Sequence, residues 1–133
     1  MTRSHIETVR EYWAAGDRED WEAAAQCVGG GFMWIDHTYS DAPMDDALAV
    51  AEVQAWTDST RVIDEWYEAT DGTVIVLATI TRTLTGQWRD VEPRGQRVTS
   101  KVCDIFRFNE DGLIVHDEMF QDELARMRQL GAL

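Results

Sequence analysis

The sequence predicts an α+β fold in which helices pack on one face of a curved antiparallel sheet. The first third of the chain shows helical spacing of apolar residues, as in Ile6, Val9 and Trp13. From residue 61 onward the pattern changes to runs rich in β-branched and aromatic residues, separated by turns that contain glycine. Helices and strands that follow one another in blocks segregate into layers, and a sheet curled around helices leaves a conical pocket.

Four elements are predicted in the first half of the chain. They are helices over residues 4–15, 17–28 and 45–56 and a short strand over Phe32–Thr38. Gly16 breaks the first helix, and Asp17 caps the second. We interpret the triplet Gly29–Gly31 as the end of the second helix, because it lacks the GxGxxG or GxxxxGK spacing of a nucleotide-binding loop.

The second half is predicted to form an antiparallel meander followed by a helix. The predicted strands are Val62–Ala69, Val74–Thr83, Arg97–Phe108 and Leu113–Gln121, and the helix is Asp122–Leu133. The turn signals at residues 70–72 and 109–112 join neighbouring strands directly, whereas the Gly86–Gly95 loop is longer. A single domain therefore accounts for residues 1–133.

The composition restricts the class of partner. The chain has 133 residues, 44% of them hydrophobic, and a formal net charge of −13. Such a surface repels phosphate backbones and anionic membrane faces, so we expect no nucleic-acid or membrane partner and favour a neutral or weakly polar ligand. No run is long enough to cross a bilayer, and the N-terminus does not read as a signal peptide. Because Cys27 and Cys103 are too few for a disulfide framework, we predict a cytoplasmic protein with reduced thiols.

The stretch CDIFRFN places a carboxylate among aromatic side chains. Alternation along a strand puts Asp104 on the same face as Phe106 and Phe108. A carboxylate that faces an apolar interior is costly unless it is paired, hydrogen-bonded or protonated. We therefore predict that Asp104 faces the pocket, is largely desolvated and has a raised pKa.

A salt bridge is the competing interpretation for Asp104, and it would lower the pKa instead. Arg97 and Lys101 precede Asp104 by odd separations, which places both on the opposite face of the strand. Arg82, from the neighbouring strand, is left as the plausible partner. With a single candidate cation, the raised pKa is the favoured outcome.

Four local motifs follow one another in an order typical of one fold superfamily. They are VREYWAAGDREDW at the first two helices, FMWIDH at the first strand, CDIFRFNEDGLIV at the last hairpin and MRQLGAL at the C-terminus. Together they resemble the nuclear transport factor 2-like superfamily, particularly its SnoaL-like and ketosteroid-isomerase-like enzymes. The resemblance covers nearly the whole chain and implies a cone-shaped α+β barrel.

The resemblance also implies roles for three residues. In steroid isomerases of this fold, the acid that ends the first strand transfers the proton, and Asp36 matches it. A tyrosine of the first helix and a protonated acid before the FRF segment donate hydrogen bonds to the substrate oxygen, and Tyr12 and Asp104 match them. On this interpretation Asp36, at a strand end with access to water, stays ionised and acts as the base.

Two departures from related enzymes bear on the mechanism. SnoaL-type polyketide cyclases usually have an acid late in the last strand, where this chain has Met119. Relatives similar to limonene epoxide hydrolase have an Arg-x-Asp pair on a middle strand, whereas this chain reads TITRTLT there. Both departures leave room for a binding protein without the family's chemistry.

A second pair of acids precedes Trp66 and Tyr67 on the predicted strand. Alternation predicts that one of Asp64 and Glu65 points inward. By resemblance to epoxide-opening cyclases, we select Glu65 as an acid that could partner Asp36.

The remaining candidate residues are expected to contact substrate. They are Trp13, Trp34, Trp56, Phe106, Met119 and Asp117. Tryptophan is most often a core residue, and its flat ring also suits the wall of a pocket for a flat apolar ligand. Asp117 belongs to the polar cluster at residues 116–118, whose spacing does not match a metal site, so we expect neither a metal nor another cofactor.

These observations support three hypotheses. The leading one is an enzyme that transfers a proton on an apolar carbonyl substrate, as an isomerase or an aldol-type cyclase. The second is an epoxide hydrolase or epoxide-opening cyclase with Asp36 and Glu65 as its acid–base pair. The third is a ligand-binding module without catalysis. By analogy with proteins of this fold we also expect a homodimer that pairs through the open face of the sheet.

Overall fold

The computed structural model describes residues 3–133, which fold into four helices packed against one five-stranded sheet. The helices are α1 (His5–Asp17), α2 (Trp21–Ala25), α3 (Asp46–Gln54) and α4 (Glu123–Leu130), and the strands are β1 (Val28–Asp36), β2 (Trp56–Glu68), β3 (Val74–Leu84), β4 (Arg97–Phe108) and β5 (Ile114–Gln121). The sheet is curved and open, with the strand order β1-β5-β4-β3-β2. The predicted α+β class is confirmed.

The strand pairing is mixed, which the sequence did not indicate. Strands β2, β3, β4 and β5 form the predicted antiparallel meander, but β1 lies parallel to β5 at the edge of the sheet. This pairing sets Asp36 beside Met119, and the next pairing sets Met119 beside Asp104. Asp36, Met119 and Asp104 therefore lie side by side in one row across strands β1, β5 and β4.

The prediction that Gly29–Gly31 ends the second helix is wrong. Helix α2 ends at Ala25, and the triplet lies within β1. A Cβ on Gly29 would come within 2.5 Å of the Asn109 side chain and 3.1 Å of the Val115 side chain, so the close approach of β1 to the β4–β5 turn favours glycine there. Val28 already pairs with Ile114, so the strand starts earlier than its apolar pattern indicates. Its register then shifts between Val28 and Met33.

Strand β2 also begins earlier than predicted, at Trp56 instead of Val62. The third helix correspondingly ends at Gln54. Two register shifts interrupt the pairing of β2 with β3, one between Thr57 and Thr60 and one between Ile63 and Glu65. These irregularities hide the strand's alternation from a reading of the sequence.

The inner face of the sheet carries two buried apolar clusters. The first is Val9, Cys27, Val74, Val76, Phe106 and Ile114, and the second is Ala55, Trp56, Leu84, Trp88, Val98 and Leu130. Helix α1 covers the first cluster, and α4 contributes Leu130 to the second. Within residues 3–133, no helix combines the length and the apolar character needed to cross a membrane.

Candidate active site

Three carboxyl groups lie on the inner face of the sheet, close to the first apolar cluster. Their residues, Asp36, Asp104 and Asp117, are 0%, 4% and 6% exposed. Asp36 of β1 and Asp104 of β4 flank Met119 in the row described above, and Asp117 lies opposite Phe106 in the adjacent row. We refer to Asp36, Asp104 and Asp117 as the acid cluster.

Asp104 and Asp117 act as a coupled pair. Burial raises the pKa of Asp104, and its contact with Asp117 opposes that rise in part. Burial also raises the pKa of Asp117, well above the ordinary range, and the charge of Asp104 and the hydrogen bond with it raise it further. Because two adjacent buried carboxyls cannot both ionise cheaply, the pair retains a proton that the two residues share.

Asp104 is buried on the inner face and its pKa is raised, as predicted, whereas its position in the wall of a pocket stays a prediction. The competing salt bridge does not form, because the ion pair of Arg82 is with Glu52. The cation that acts on the pair is Arg61 of β2, which lowers both pKa values without reversing their rise. Its guanidinium carbon lies 4.2 Å from the centroid of a Trp13 ring.

Asp36 differs from its predicted environment. We expected access to water, but Asp36 is fully buried, and that burial raises its pKa. Its Oδ1 atom accepts hydrogen bonds from the Thr38 backbone N–H at 2.9 Å and from the Thr38 hydroxyl at 2.7 Å. Its Oδ2 atom is buried and has no hydrogen-bond partner among the described residues. One carboxylate oxygen is thus held in place, and the other remains available.

Tyr12 reaches the acid cluster from α1. Burial raises its pKa well above the ordinary value, and the charges of Asp117 and Asp104 raise it further. Its ring packs on the first apolar cluster, with its centroid 6.1 Å from that of Phe32. The Tyr12 hydroxyl therefore stays protonated at neutral pH and can act as a hydrogen-bond donor beside the Asp104–Asp117 pair.

A second charged group lies on the same inner face, next to the second apolar cluster. It consists of Glu52 from α3, Arg82 from β3 and Arg126 from α4, which we call the arginine cluster. The Glu52 Oε2 atom accepts hydrogen bonds from the Tyr39 hydroxyl and from Trp88 Nε1, the latter at 2.8 Å. The Oε1 atom faces Arg82 Nη2 and Arg126 Nη1, each at 3.5 Å.

Thr38 joins the two clusters. Its hydroxyl donates to Asp36 and lies 3.4 Å from Nη2 of Arg126, which donates to it. Arg89 Nη2 donates to the same hydroxyl at 3.2 Å. Thr38 therefore connects Asp36 to Arg89 and Arg126 through one shared hydroxyl.

The prediction that either Asp64 or Glu65 points inward is wrong for both acids. Ile63 and Trp66 pack on the first apolar cluster, and the register shift between Ile63 and Glu65 leaves both acids on the outer face. Asp64 Oδ2 accepts hydrogen bonds from Lys101 Nζ at 3.2 Å and from Thr79 Oγ1 at 2.8 Å. Glu65 is exposed and accepts a hydrogen bond from Tyr67. The fold therefore does not bring Glu65 to Asp36.

The tryptophans that were predicted to form the wall of a pocket lie in two places, beside the acid cluster and beside the arginine cluster. Trp13 packs edge-on against Phe106 with ring centroids 5.4 Å apart, beside the acid cluster. Trp56 packs against Trp88 with centroids 5.5 Å apart, beside the arginine cluster. Trp34 is half-buried on β1 and pairs in register with Asp117. Met119, between Asp36 and Asp104, provides an apolar surface between the two acids.

Two surface depressions lie outside this interior. One, of about 490 Å³, lies on the outer face of the sheet and includes Asp64, Glu65, Cys103 and Phe120. The other lies between α4 and the β3–β4 connection. In the described part of the chain, no group of three or more His, Cys, Asp or Glu side chains is arranged to hold a metal ion.

The sequence reasoning missed Glu52, Arg61 and Arg126 as functional candidates. Helical spacing points to two of them, because residues four apart lie on the same face of a helix. Glu52 follows the half-buried Leu48 by four residues, and Arg126 precedes the buried Leu130 by four. Charged residues at such positions are usually solvated, so the pattern alone did not mark them as buried.

The fold and the inner-face acids together define a nuclear transport factor 2-like protein. Residues 9–117 match the SnoaL-like domain family, and the chain belongs to that family. No curated protein is significantly similar to it in sequence.

Solved structures of similar fold come from several bacteria. AclR, a candidate hydroxylase from Streptomyces galilaeus, superposes with a TM-score of 0.79 at 22% identity, covering 97% of this chain and 85% of that chain. IdmH, a candidate polyketide cyclase from Streptomyces antibioticus, has a TM-score of 0.78 at 16% identity, covering 97% and 99%. A candidate SnoaL-like polyketide cyclase from Jannaschia sp. has a TM-score of 0.76 at 25% identity, covering 100% and 99%.

Proposed function

We propose that the protein is a cofactor-independent enzyme that transfers a proton on an apolar carbonyl substrate, as an isomerase or an aldol-type polyketide cyclase. The observation that carries this proposal is the row Asp36–Met119–Asp104 on the inner face. Residues two strands apart in a sheet are separated by roughly 10 Å, so the two carboxyl groups could contact different ends of one carbonyl compound that lies over Met119. Met119 would then support the apolar body of the substrate.

Asp36 is the proposed base. Its buried position raises its pKa, and a carboxylate of higher pKa is a stronger base toward a carbon acid. The two hydrogen bonds from Thr38 hold Oδ1, so Oδ2 takes the proton from the carbon next to the carbonyl. The electron pair of the broken C–H bond moves to the carbonyl oxygen, which becomes an enolate.

Tyr12 and the Asp104–Asp117 pair are the proposed donors to that enolate oxygen. The raised pKa values keep a proton on the Tyr12 hydroxyl and one on the pair. Donors placed in a site that excludes water stabilise developing negative charge more strongly than water does. An isomerase would return the proton from Asp36 to another carbon, whereas an aldol cyclase would let the enolate carbon attack a second carbonyl.

Ligand binding without catalysis is the second candidate function. The observation that favours it is the burial of all three carboxyls, none of which is more than 6% exposed. On this alternative the acids serve only to orient a ligand. The epoxide-opening alternative in its Asp36–Glu65 form loses its support, because Glu65 lies on the outer face.

Proton exchange distinguishes catalysis from binding. We expect the protein to exchange the α-protons of an apolar ketone such as 2-tetralone in deuterated buffer, followed by proton NMR. Asp36→Asn should lower the exchange rate by about 10²-fold or more, because the general base is lost. Asp64→Asn is the matched control, since Asp64 is an outer-face acid, and it should keep the wild-type rate. Equal rates in the two variants would remove Asp36 from the mechanism, and binding without any exchange would favour the second candidate.

A further inference from the structure

Arg82 is a partly buried cation that makes no side-chain hydrogen bond to the described residues. It lies on the inner face of β3, and its guanidinium carbon is 4.4 Å from the centroid of a Trp56 ring. A guanidinium has five N–H donors, yet within residues 3–133 Arg82 makes no side-chain hydrogen bond, and its ion pair with Glu52 spans 3.5 Å. Burial lowers its pKa to about 10, while 15% of the side chain is still open to solvent. No side chain or backbone group of the described residues accepts a hydrogen bond from the N–H groups of Arg82, so a bound ligand could do so.

Arg126 and Glu52 leave their unpaired atoms next to the same place. Glu123 accepts from Arg126 Nε at 3.1 Å and from Nη2 at 2.7 Å, but Arg126 Nη1 is buried without a hydrogen-bond partner. The Glu52 Oε1 atom is also buried without a partner. Separations of 3.5 Å exceed the usual 2.7–3.2 Å of N–H···O bonds, so Glu52 does not satisfy either guanidinium.

Glu52 is not free to close these gaps. The Tyr39 hydroxyl and Trp88 Nε1 both donate to its Oε2 atom and fix the carboxylate between the two arginines. The charges in direct contact are then two guanidiniums and one carboxylate, with Glu123 neutralising Arg126 from its other side. Within the arginine cluster, Arg82 therefore has one carboxylate neighbour, whereas Arg126 has two.

We propose that Arg82, assisted by Nη1 of Arg126, binds a single carboxylate group at one end of the substrate. The proposal rests on the function proposed above, in which Asp36 removes a proton in the same interior. A planar guanidinium fork matches a carboxylate with two parallel hydrogen bonds. Because one guanidinium is uncommitted and the chain carries a net charge of −13, a monoanion fits and a multiply charged group does not.

The position of this subsite specifies the shape of the substrate. The Thr38 hydroxyl contacts both Asp36 and Arg126, so the base lies between the arginine cluster and the Asp104–Asp117 pair. Trp56 and Trp88 flank the arginines with aromatic surface. The substrate is accordingly an elongated, flat keto acid whose carboxylate binds Arg82 and whose reacting carbonyl oxygen faces Tyr12.

Binding of a matched ligand pair tests the subsite independently of turnover. We use 2-naphthoate and 2-naphthamide, which share one apolar body and have no enolisable proton, and measure both by titration calorimetry at pH 7.5. Wild-type protein should bind the carboxylate at least about tenfold more tightly than the amide, because hydrogen bonds between charged groups are the strong ones. Arg82→Met should abolish that preference while leaving amide binding within about twofold. Arg82→Lys, which keeps the charge without the fork, should retain an intermediate preference.

Two controls separate the outcomes. Arg97→Met removes an exposed outer-face arginine and should leave both affinities unchanged. Asp36→Asn should keep carboxylate binding even though it stops proton exchange, so failure of the proposed chemistry is distinguishable from failure of the subsite. The proposal is overturned if wild-type protein fails to prefer the carboxylate at millimolar concentration, if Arg82→Met weakens both ligands equally, or if Arg97→Met has the same effect as Arg82→Met.

Discussion

The acid cluster and the arginine cluster show two ways of burying charge on one inner face. In the arginine cluster, Glu52 lies between two guanidiniums and accepts two further hydrogen bonds. In the acid cluster, Asp104 and Asp117 have each other as their nearest polar partners, and Arg61 acts on them only from beside Trp13. The first arrangement sets opposite charges next to one another, although Arg82 is only partly compensated by Glu52. The second keeps a proton because no cation among the described residues forms an ion pair with Asp104 or Asp117.

Because the two clusters bury charge differently, we expect substitutions in them to change stability in opposite directions. Removing one member of a compensated ion network exposes an unpaired buried charge, which is strongly destabilising. Removing one acid from a pair of like groups relieves repulsion, so we expect stability to rise while the proposed proton transfer is lost. The substitutions below test whether the two clusters respond with these opposite signs.

The largest expected effect is the loss of Arg126. Arg126→Met leaves the buried Glu52 and the partly exposed Glu123 with one cation fewer, so we expect the free energy of unfolding to fall by about 3–5 kcal/mol. Urea unfolding at pH 7 measures it. Arg128→Met, in the same helix at an exposed position, should change stability by less than about 0.5 kcal/mol. A loss no larger than that of Arg128→Met would show that the network does not contribute to stability.

The next effect is the pH dependence that Asp117 imposes. A buried acid with a raised pKa stabilises the fold fully below its unfolded pKa of about 3.9, and this contribution is lost as pH rises toward the folded pKa. Asp117→Asn removes the titration. The variant should therefore gain on wild-type protein by up to about 1.4 kcal/mol per pH unit above pH 4, until the folded pKa is reached. Urea unfolding between pH 5 and pH 8 checks this, and a constant difference across that range would contradict it.

The smallest effect concerns Thr38, the residue that joins the clusters. Thr38→Val removes the hydroxyl that stabilises the Asp36 carboxylate, so the pKa of Asp36 should rise further and unfolding free energy should fall by about 1 kcal/mol. Because the base must be ionised to accept a proton, the acid limb of the exchange rate should move to higher pH. Thr81→Val, which loses an outer-face hydroxyl contact with Thr99, should leave that limb unmoved. An unchanged pH profile in Thr38→Val would show that the Thr38 hydroxyl does not influence the pKa of Asp36.

The sequence predicts the acid cluster better than the arginine cluster, for a physical reason. Asp104 lies in a regular strand, where period-two alternation with Phe106 assigns its face correctly. Arg126 lies in a short C-terminal helix. Besides its local ion pair with Glu123, its burial depends on contacts with Glu52 and Trp88, which are distant in the sequence. Long-range pairing of that kind leaves no local pattern.

Local irregularity explains the other errors. The register shift before Glu65 adds one residue to β2, so alternation fails where the prediction depended on it. Gly29 has no side chain, so it gives no hydropathy signal for the strand that it occupies. The water access expected for Asp36 came from its place at the end of β1, but the Thr38 segment covers that end.

The parallel pairing of β1 with β5 has a consequence for how the protein acquires its site during folding. Asp36 and Met119 are neighbours in space but are far apart in the sequence, and contacts of such high sequence separation form late and slowly. During synthesis the hairpin β2–β3 can pair as soon as it emerges, whereas β1 must wait for almost the whole chain before its partner exists. The proposed base thus joins its donors in one of the last steps of assembly, and a nascent chain that has not yet released β5 has no complete row of acids.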